Sequence, residues 1–246
     1  MRDFTFNEVY FLVLAARWTI LLSVVAFIGG GALGLIIAAL RVCPYKPLRY
    51  VAIGYIQFFQ GTPLLIQLFM AYYGSAFIGL SPDPWAAAAV TFILNSAAFF
   101  AEIFRGSIES VPSGQWETAT ALGLKFVPTL WLVILPQAVR LMLPPTVGFM
   151  VQIVKSTSVA SLIGLTEVAR TATTINTITF EPLLVFGTVA GIYFALCWPL
   201  SLLAAYLERR LGTRQARAAG GAAQMPVGAT EAPQAAAAEI EPATRA

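Results

Sequence analysis

The types of reactive and polar residues in this sequence indicate a binding function more than covalent catalysis. The 246 residues contain no histidine, and the two cysteines, Cys43 and Cys197, are too far apart in sequence to suggest a redox pair or a metal cluster. No phosphate-binding motif of the type Gly-x-x-x-x-Gly-Lys-Ser/Thr occurs. We therefore expect no catalytic residue, no metal site and no cofactor on this chain, which by itself has no means of using ATP.

Three polar side chains interrupt strongly apolar segments and are candidates for a substrate pathway: Lys155, Gln67 and Asn95. A charged group inside a membrane is costly and is by default a functional candidate, so Lys155 could meet a substrate carboxylate. The alternative for Lys155 is an ion pair or a carbonyl contact that holds helices together. Gln67 and Asn95 need hydrogen-bond partners in lipid, and most such residues bond to a neighbouring helix while a minority touch substrate.

A polar segment over residues 101–124 is the other candidate region. Val111-Pro-Ser-Gly114 is typical of a turn that begins a helix, and residues 115–122 predict a short helix that ends at Gly123. Such a helix suits docking to a soluble partner. The alternative is a loop that only lies on the membrane surface.

The composition indicates which elements must position these residues. Hydrophobic residues make up 58% of the chain and charged residues 11%, and the mean hydropathy is +0.77. Because soluble domains have roughly 25% charged residues, these values exclude a disordered chain, a charge-based nucleic-acid binder and a disulfide-stapled secreted module. Apolar segments long enough to cross a bilayer core of about 30 Å predict an all-α membrane bundle with five spans, at about 18–40, 51–73, 84–104, 141–166 and 182–207.

The distribution of arginine and lysine predicts the orientation of these spans. Basic residues concentrate between the first two spans, between the third and fourth, and after the fifth, whereas the 74–85 connection has none. We therefore expect the amino terminus outside, the carboxyl terminus in the cytoplasm and a cytoplasmic loop at about 106–137. The membrane domain would comprise residues 1–211, and the Ala-rich residues 212–246 predict a disordered cytoplasmic tail. Glu167 and Arg170, one turn apart near the outer face, are expected to pair with each other, although they could instead face a docked partner protein.

Several dispersed motifs resemble one family of transport proteins. Glu117-Thr-Ala119, followed by Gly123 and Val133-Ile-Leu-Pro136, is similar to the EAA loop of binding-protein-dependent ATP-binding-cassette (ABC) importers. Further segments resemble the polar amino-acid permease branch, of the histidine, glutamine, glutamate-aspartate or arginine type; they are Gly61-Thr-Pro-Leu-Leu-Ile-Gln-Leu-Phe69, Ala101-Glu-Ile-Phe-Arg-Gly106, Val111-Pro-Ser-Gly-Gln-Trp-Glu117, Leu135-Pro-Gln-Ala138, Leu143-Pro-Pro145 and Lys155-Ser-Thr-Ser158. The resemblance covers about residues 8–211. Gln60 stands where many relatives have arginine, and Ser156 where many have aspartate.

The resemblance implies a permease subunit of the type I ABC importer fold, in a bacterial cytoplasmic (inner) membrane. It would move a polar or charged amino acid by alternating access, driven by ATP hydrolysis on partner subunits, so ATP and Mg would be bound by those partners. The implied partners are a second permease subunit, identical or paralogous, two cytosolic ABC ATPase subunits, and a periplasmic or lipid-anchored amino-acid-binding protein. The positions that match the loop docking the ATPase are Gly114, Gln115, Glu117, Ala119 and Gly123.

A second class of function remains open from the residues themselves, an ion-coupled secondary transporter or a channel. Against it stand the single lysine and the scarcity of carboxylates inside the spans, together with the lack of any internal repeat. A membrane-embedded enzyme is disfavoured because the spans contain no cluster of histidine, cysteine or paired carboxylates.

Overall fold

The regular elements of this protein are helices throughout the part described by the computed structural model, residues 4–80 and 82–223. In chain order they are α1 (Phe6–Val42), α2 (Lys46–Gly61), α3 (Leu64–Tyr72), a 3₁₀ turn (Gly74–Ile78), α4 (Pro84–Glu109), α5 (Ser113–Ala121), α6 (Phe126–Pro128) with a π-helical turn (Thr129–Ile134), α7 (Leu135–Ser156), a 3₁₀ segment (Thr157–Ile163), α8 (Val168–Thr179) and α9 (Pro182–Ala223). The all-α fold predicted from the composition is confirmed.

Four helical segments of the described chain are long and apolar enough to cross a membrane, and they are Phe6–Val42, Pro84–Glu109, Phe126–Ile163 and Pro182–Leu211. A fifth crossing results if α2 and α3 count as one bent span. These two helices meet at an angle of 100°, so the span predicted at 51–73 is broken. The break lies at Pro63, which directly precedes the first residue of α3 and has no amide hydrogen to continue α2.

The cytoplasmic loop predicted at about 106–137 contains the predicted short helix, which is α5. Helix α4 continues to Glu109, and the segment long and apolar enough for a fourth crossing begins at Phe126, before the span predicted at 141–166. Two prolines near the start of this segment are accommodated locally. Pro128 lies in the first turn, where a helix leaves amides unpaired in any case, and Pro136 follows the π-helical turn at the start of α7.

Helices α1 and α4 pack closely because glycines in α1 let the two backbones approach. A Cβ on Gly30 would lie 2.7 Å from the Cβ of Ser96, and one on Gly34 would lie 2.7 Å from the Cβ of Phe100. Small residues at helix contacts are the usual means of close packing in membranes. The main buried cluster joins α1, α3, α4 and α7 around Leu22, Leu68, Phe92, Phe100 and Ile153.

The carboxyl-terminal segment differs in part from the prediction. Helix α9 continues to Ala223, so the backbone of residues 212–223 is helical where the sequence predicted disorder. Alanine and arginine, which are common in this stretch, are strong helix formers. The remainder of the predicted tail, residues 224–246, lies outside the described residues.

Candidate functional site

Helix α5 is a short surface helix between two long ones. Three of the residues singled out by the sequence, Gly114, Gln115 and Glu117, are exposed along it, whereas Ala119 is only 2% exposed and faces the protein. The helix therefore has one face seated on the bundle and one face open to a partner.

The end of α5 has the geometry that the sequence predicted. Gly123 has a left-handed backbone, with a φ of 76°, which glycine adopts without the steric cost of a Cβ. The amide of Leu124 donates to the carbonyl of Ala119 at 3.0 Å, and the amide of Gly123 donates to the carbonyl of Thr120 at 2.9 Å. This pair of hydrogen bonds is a Schellman motif, so the chain turns sharply away from the helix.

Contacts on both sides fix α5 to the beginning of the Phe126–Ile163 helix. The ring of Trp116 stacks on that of Phe126, with centroids 6.1 Å apart. The Gln137 amide donates to Oε1 of Gln115 at 3.2 Å. Beneath them lies an apolar cluster of Ile108, Val111, Leu130, Ile134, Ala138 and Met142. A force applied to α5 is therefore transmitted directly to the long helix.

An open groove runs beside α5. It encloses about 540 Å³, and its walls include Arg41, Arg49, Glu109, Val111, Trp116 and Glu117. The floor is apolar and the rim is charged, which is an arrangement suited to a protein segment with a charged tip.

The charges at the end of α4 are largely paired with one another. The guanidinium of Arg105 donates to Glu102 at 2.6 Å and also to Glu109, while Arg41 lies 4.0 Å from Glu102. The pair of Glu102 and Arg105 is the intrahelical contact expected from their spacing. Glu117 does not belong to this network, so its carboxylate remains on the open face of α5.

Gln67 and Asn95 lie together at the break between α2 and α3. In an unbroken helix the carbonyl of Phe59 would accept from residue 63, but Pro63 has no amide hydrogen to give. The Gln67 amide donates to that carbonyl at 2.8 Å and to the carbonyl of Thr62 at 3.0 Å. Asn95, from α4, donates to the same Phe59 carbonyl at 3.3 Å. The two amides therefore replace the hydrogen bonds that the bend removes.

A cavity of about 390 Å³ lies next to this break, between α2, α3, α4 and α7. Its polar lining residues are Gln60, Thr62, Asn95, Ser96, Gln152 and Ser156. Its aromatic walls are Phe59, Phe92, Phe99 and Phe149. Each of these side chains is uncharged, so the cavity offers hydrogen bonds and ring faces without a fixed charge.

The structure does not bring Lys155 together with Gln67 and Asn95. The Lys155 side chain is exposed on a separate groove of about 270 Å³, against Tyr193 and Cys197 of α9, while the next residue, Ser156, lines the cavity. The same helical turn therefore presents a hydroxyl to the cavity and an ammonium group to an adjoining face of the helix.

A residue whose role the sequence did not reveal is Glu167, which is completely buried. Its carboxylate accepts from the Arg170 backbone amide at 2.8 Å, the Tyr193 hydroxyl at 3.1 Å and, more distantly, the Thr19 hydroxyl at 3.4 Å. Burial raises the pKa of Glu167, and these donors act in the opposite direction. The predicted side-chain pair with Arg170 is absent from the described residues, because Glu167 caps the start of α8 instead. An acidic residue just before a helical pattern was the signal that could have indicated this cap.

Comparison with known proteins gives a consistent result for most of the chain. Residues 30–213 match the family described as binding-protein-dependent transport system inner membrane component. The L-cystine transport system permease protein TcyB of Bacillus subtilis is 40% identical over 195 residues, 79% of this chain and 83% of that protein. The glutamine transport system permease protein GlnP of Escherichia coli K12 is 36% identical over 202 residues, 81% of this chain and 92% of that protein.

Solved structures show the same relationship. A chain from the crystal structure of an amino acid ABC transporter with histidines is 31% identical and superposes with a TM-score of 0.79, over 85% of this chain and all of that one. The MetNI methionine ABC transporter in an inward-facing conformation, 18% identical with a TM-score of 0.72 over 85% of this chain and 99% of that one, shares the fold.

Proposed function

The chain belongs to the family of inner membrane components of binding-protein-dependent transport systems and is an ABC importer permease subunit, and from this premise we propose how it works. Two such subunits, identical or paralogous, form the pathway in a bacterial inner membrane. Two cytosolic ATPase subunits bind ATP and Mg and hydrolyse the nucleotide, and a periplasmic or lipid-anchored binding protein delivers the amino acid. The amino terminus lies outside and α5 lies in the cytoplasm, as the distribution of basic residues favours.

The observation that supports this proposal is the way in which α5 is attached to the helical bundle. The helix is joined to the Phe126–Ile163 helix through Trp116 and Gln115, and its other face is open. In the proposed assembly the ATPase receives α5, Glu117 forms a charge-assisted hydrogen bond with it, and Gly114 and Gly123 allow close approach. Closure of the ATPase dimer then moves α5 and, with it, the helix that lines the cavity at Ser156.

The substrate is proposed to be an amino acid without net charge, held in the cavity beside the α2–α3 break. The uncharged polar lining supports this choice, because an extra charge on the substrate would be buried without a partner. Two relatives are named for L-cystine and glutamine, which are both electrically neutral as zwitterions. Asn95 lies in the cavity wall and is held by its hydrogen bond to Gln67. Lys155 remains a predicted pathway residue, on the adjoining face of α7.

The test is reconstitution of the complex of this chain with its ATPase and binding protein in liposomes. We expect uptake of amino acids to require ATP on the ATPase side and loaded binding protein on the other, with neutral amino acids preferred over arginine or glutamate in a competition panel. Uptake driven by a sodium or proton gradient without the ATPase would instead support a secondary transporter. Uptake preferring a charged amino acid would leave the importer assignment intact and refute the proposed substrate class.

A further inference from the structure

Glu167 lies where three helices meet, at the end of the bundle opposite α5. Thr19 belongs to α1, Arg170 to α8 and Tyr193 to α9, and each supplies a donor to the same carboxylate. Among the described residues, no cation is paired with this group. A buried carboxylate without a counter-charge is tolerated only while its donors stay in place, so the three helices are held in one arrangement.

Tyr193 extends this contact toward the cavity. Its hydroxyl donates to Glu167, and its side chain lines the same groove as Lys155 of α7. Lys155 directly precedes Ser156, which lines the cavity. The path from the start of α8 to the cavity wall therefore consists of the Glu167–Tyr193 hydrogen bond, the groove that Tyr193 shares with Lys155, and the peptide bond from Lys155 to Ser156.

Helix α8 is the part of this network that a partner can reach. Arg170, Thr173, Thr174 and Thr177 are exposed on it, whereas Val168, Ala172 and Ile175 are buried against the bundle. A displacement of α8 from that exposed face must move Glu167, which precedes its first residue, relative to Tyr193 of α9.

We propose that Glu167 and Tyr193 act as one positioning unit that couples α8 to the cavity wall at Lys155 and Ser156. The inference rests on the proposed function, in which a loaded binding protein docks on the α8 side of the bundle. Docking shifts α8, the Glu167–Tyr193 contact transmits the shift, and the cavity opens to receive the amino acid. Neither residue contacts substrate.

The experiment uses the reconstituted complex with the substitutions Glu167→Gln and Tyr193→Phe, singly and together. Glutamine presents an amide to groups that donate, and phenylalanine keeps the ring while removing one hydroxyl. Because a hydrogen bond to a charged group is lost, we expect the ATPase rate stimulated by loaded binding protein to fall about tenfold, with basal ATPase activity and co-purification of the ATPase unchanged. The double variant is expected to be no worse than the more impaired single variant, because both break one contact.

Glu181→Gln, at the junction of α8 and α9, and Tyr10→Phe, on the exposed face of α1, are the matched controls and should behave as wild type. If Glu167 and Tyr193 only stabilise the fold, their substitution would lower the basal ATPase rate, the stimulated ATPase rate and the yield of the complex in parallel. That result would overturn the proposal. So would additive losses in the double variant or wild-type stimulation in either single variant. If Glu167→Gln does not assemble, Tyr193→Phe alone decides. Failure of the wild-type complex to transport at all would instead refute the proposed function.

Discussion

The side-chain amide of Asn95 donates a hydrogen bond to Oε1 of Gln67 at 3.1 Å, which joins α4 to α3 at the point where α2 ends. Both amides also satisfy the Phe59 carbonyl that Pro63 leaves without a partner. The bend of 100° is thus maintained by side chains instead of backbone hydrogen bonds.

Substituting Asn95 with leucine should therefore destabilise the bend. The change leaves Oε1 of the partly buried Gln67 without its donor, and an unpaired polar group costs up to about 3 kcal/mol when it is fully buried. We expect a lower thermal unfolding temperature in detergent and reduced uptake. Gln152→Leu, on an exposed side chain of the same cavity, should leave the unfolding temperature unchanged. Equal unfolding temperatures for Asn95→Leu and wild type would show that the bend does not depend on this pair.

The close contact of α1 with α4 predicts a sharp difference between neighbouring glycines. Gly34→Leu places side-chain atoms where even a Cβ would be 2.7 Å from Phe100, and overpacking of this kind costs about 1–3 kcal/mol. Gly31→Leu is the matched control, because nothing lies within 4 Å of the position that a Cβ on Gly31 would occupy. Thermal unfolding of the purified proteins should show the loss for Gly34→Leu alone.

Substitutions in α5 and at its end should distinguish insertion of the chain into the membrane from its coupling to the ATPase. Gly123→Asp and Gly123→Asn both add a Cβ to a left-handed backbone that asparagine and aspartate tolerate, and only Gly123→Asp adds a charge. Glu117→Lys reverses the charge on the open face. We expect Gly123→Asp and Glu117→Lys to reach the membrane normally but to lose the ATPase or its stimulation, while Gly123→Asn retains both. The measurement is co-purification followed by ATPase activity with and without loaded binding protein.

Lys155 should matter for uptake and not for assembly. The chain is helical from Arg140 to Lys155, which at 1.5 Å per residue separates them by about 22 Å along the axis. Lys155 lies in the second half of the Phe126–Ile163 segment, which is long and apolar enough to cross a membrane. We expect Lys155→Ala to impair uptake with the ATPase still bound, and Lys155→Arg to retain part of the activity. Normal uptake by Lys155→Ala at normal expression would assign the residue a packing role.

Labelling of the two cysteines can test the orientation of the chain in the membrane. Cys197 is buried in α9, and Cys43 is partly exposed in the basic connection between α1 and α2. A membrane-impermeant maleimide added to intact cells should label neither, and permeabilisation should expose Cys43, as judged by loss of the signal in Cys43→Ala. Labelling of Cys43 from outside would reverse the proposed orientation and place α5 on the wrong side for an ATPase.

Features that depend on local sequence were predictable. Charge-free stretches indicated the membrane helices, and Gly123 indicated the end of α5. Each depends on the chemistry of one residue or of a continuous segment. The continuity of the helical segment from Phe126 into the span predicted at 141–166 was not predicted, because the way in which Pro136 is accommodated depends on the π-helical turn that precedes it.

Features that depend on how helices are rotated against one another were not predictable. The spacing of Glu167 and Arg170 suggested a salt bridge, but the carboxylate turns to the backbone amide and to donors from two other helices. Likewise, the sequence grouped Lys155 with Asn95, whereas the rotation of α7 presents Ser156 to the cavity and Lys155 to α9. The directions of these side chains depend on contacts between segments that are distant in the sequence.

The uncharged lining of the cavity has an electrical consequence. Moving one elementary charge across a membrane is worth about 2.3 kcal/mol per 100 mV, so a charged occupant would make the transport cycle sensitive to voltage. The cavity formed by Gln60, Asn95, Gln152 and Ser156 contributes no charge of its own, and a zwitterion adds none. With the proposed neutral amino acid in place, we expect passage through this cavity to carry no net charge, so that uptake should not depend on the membrane potential.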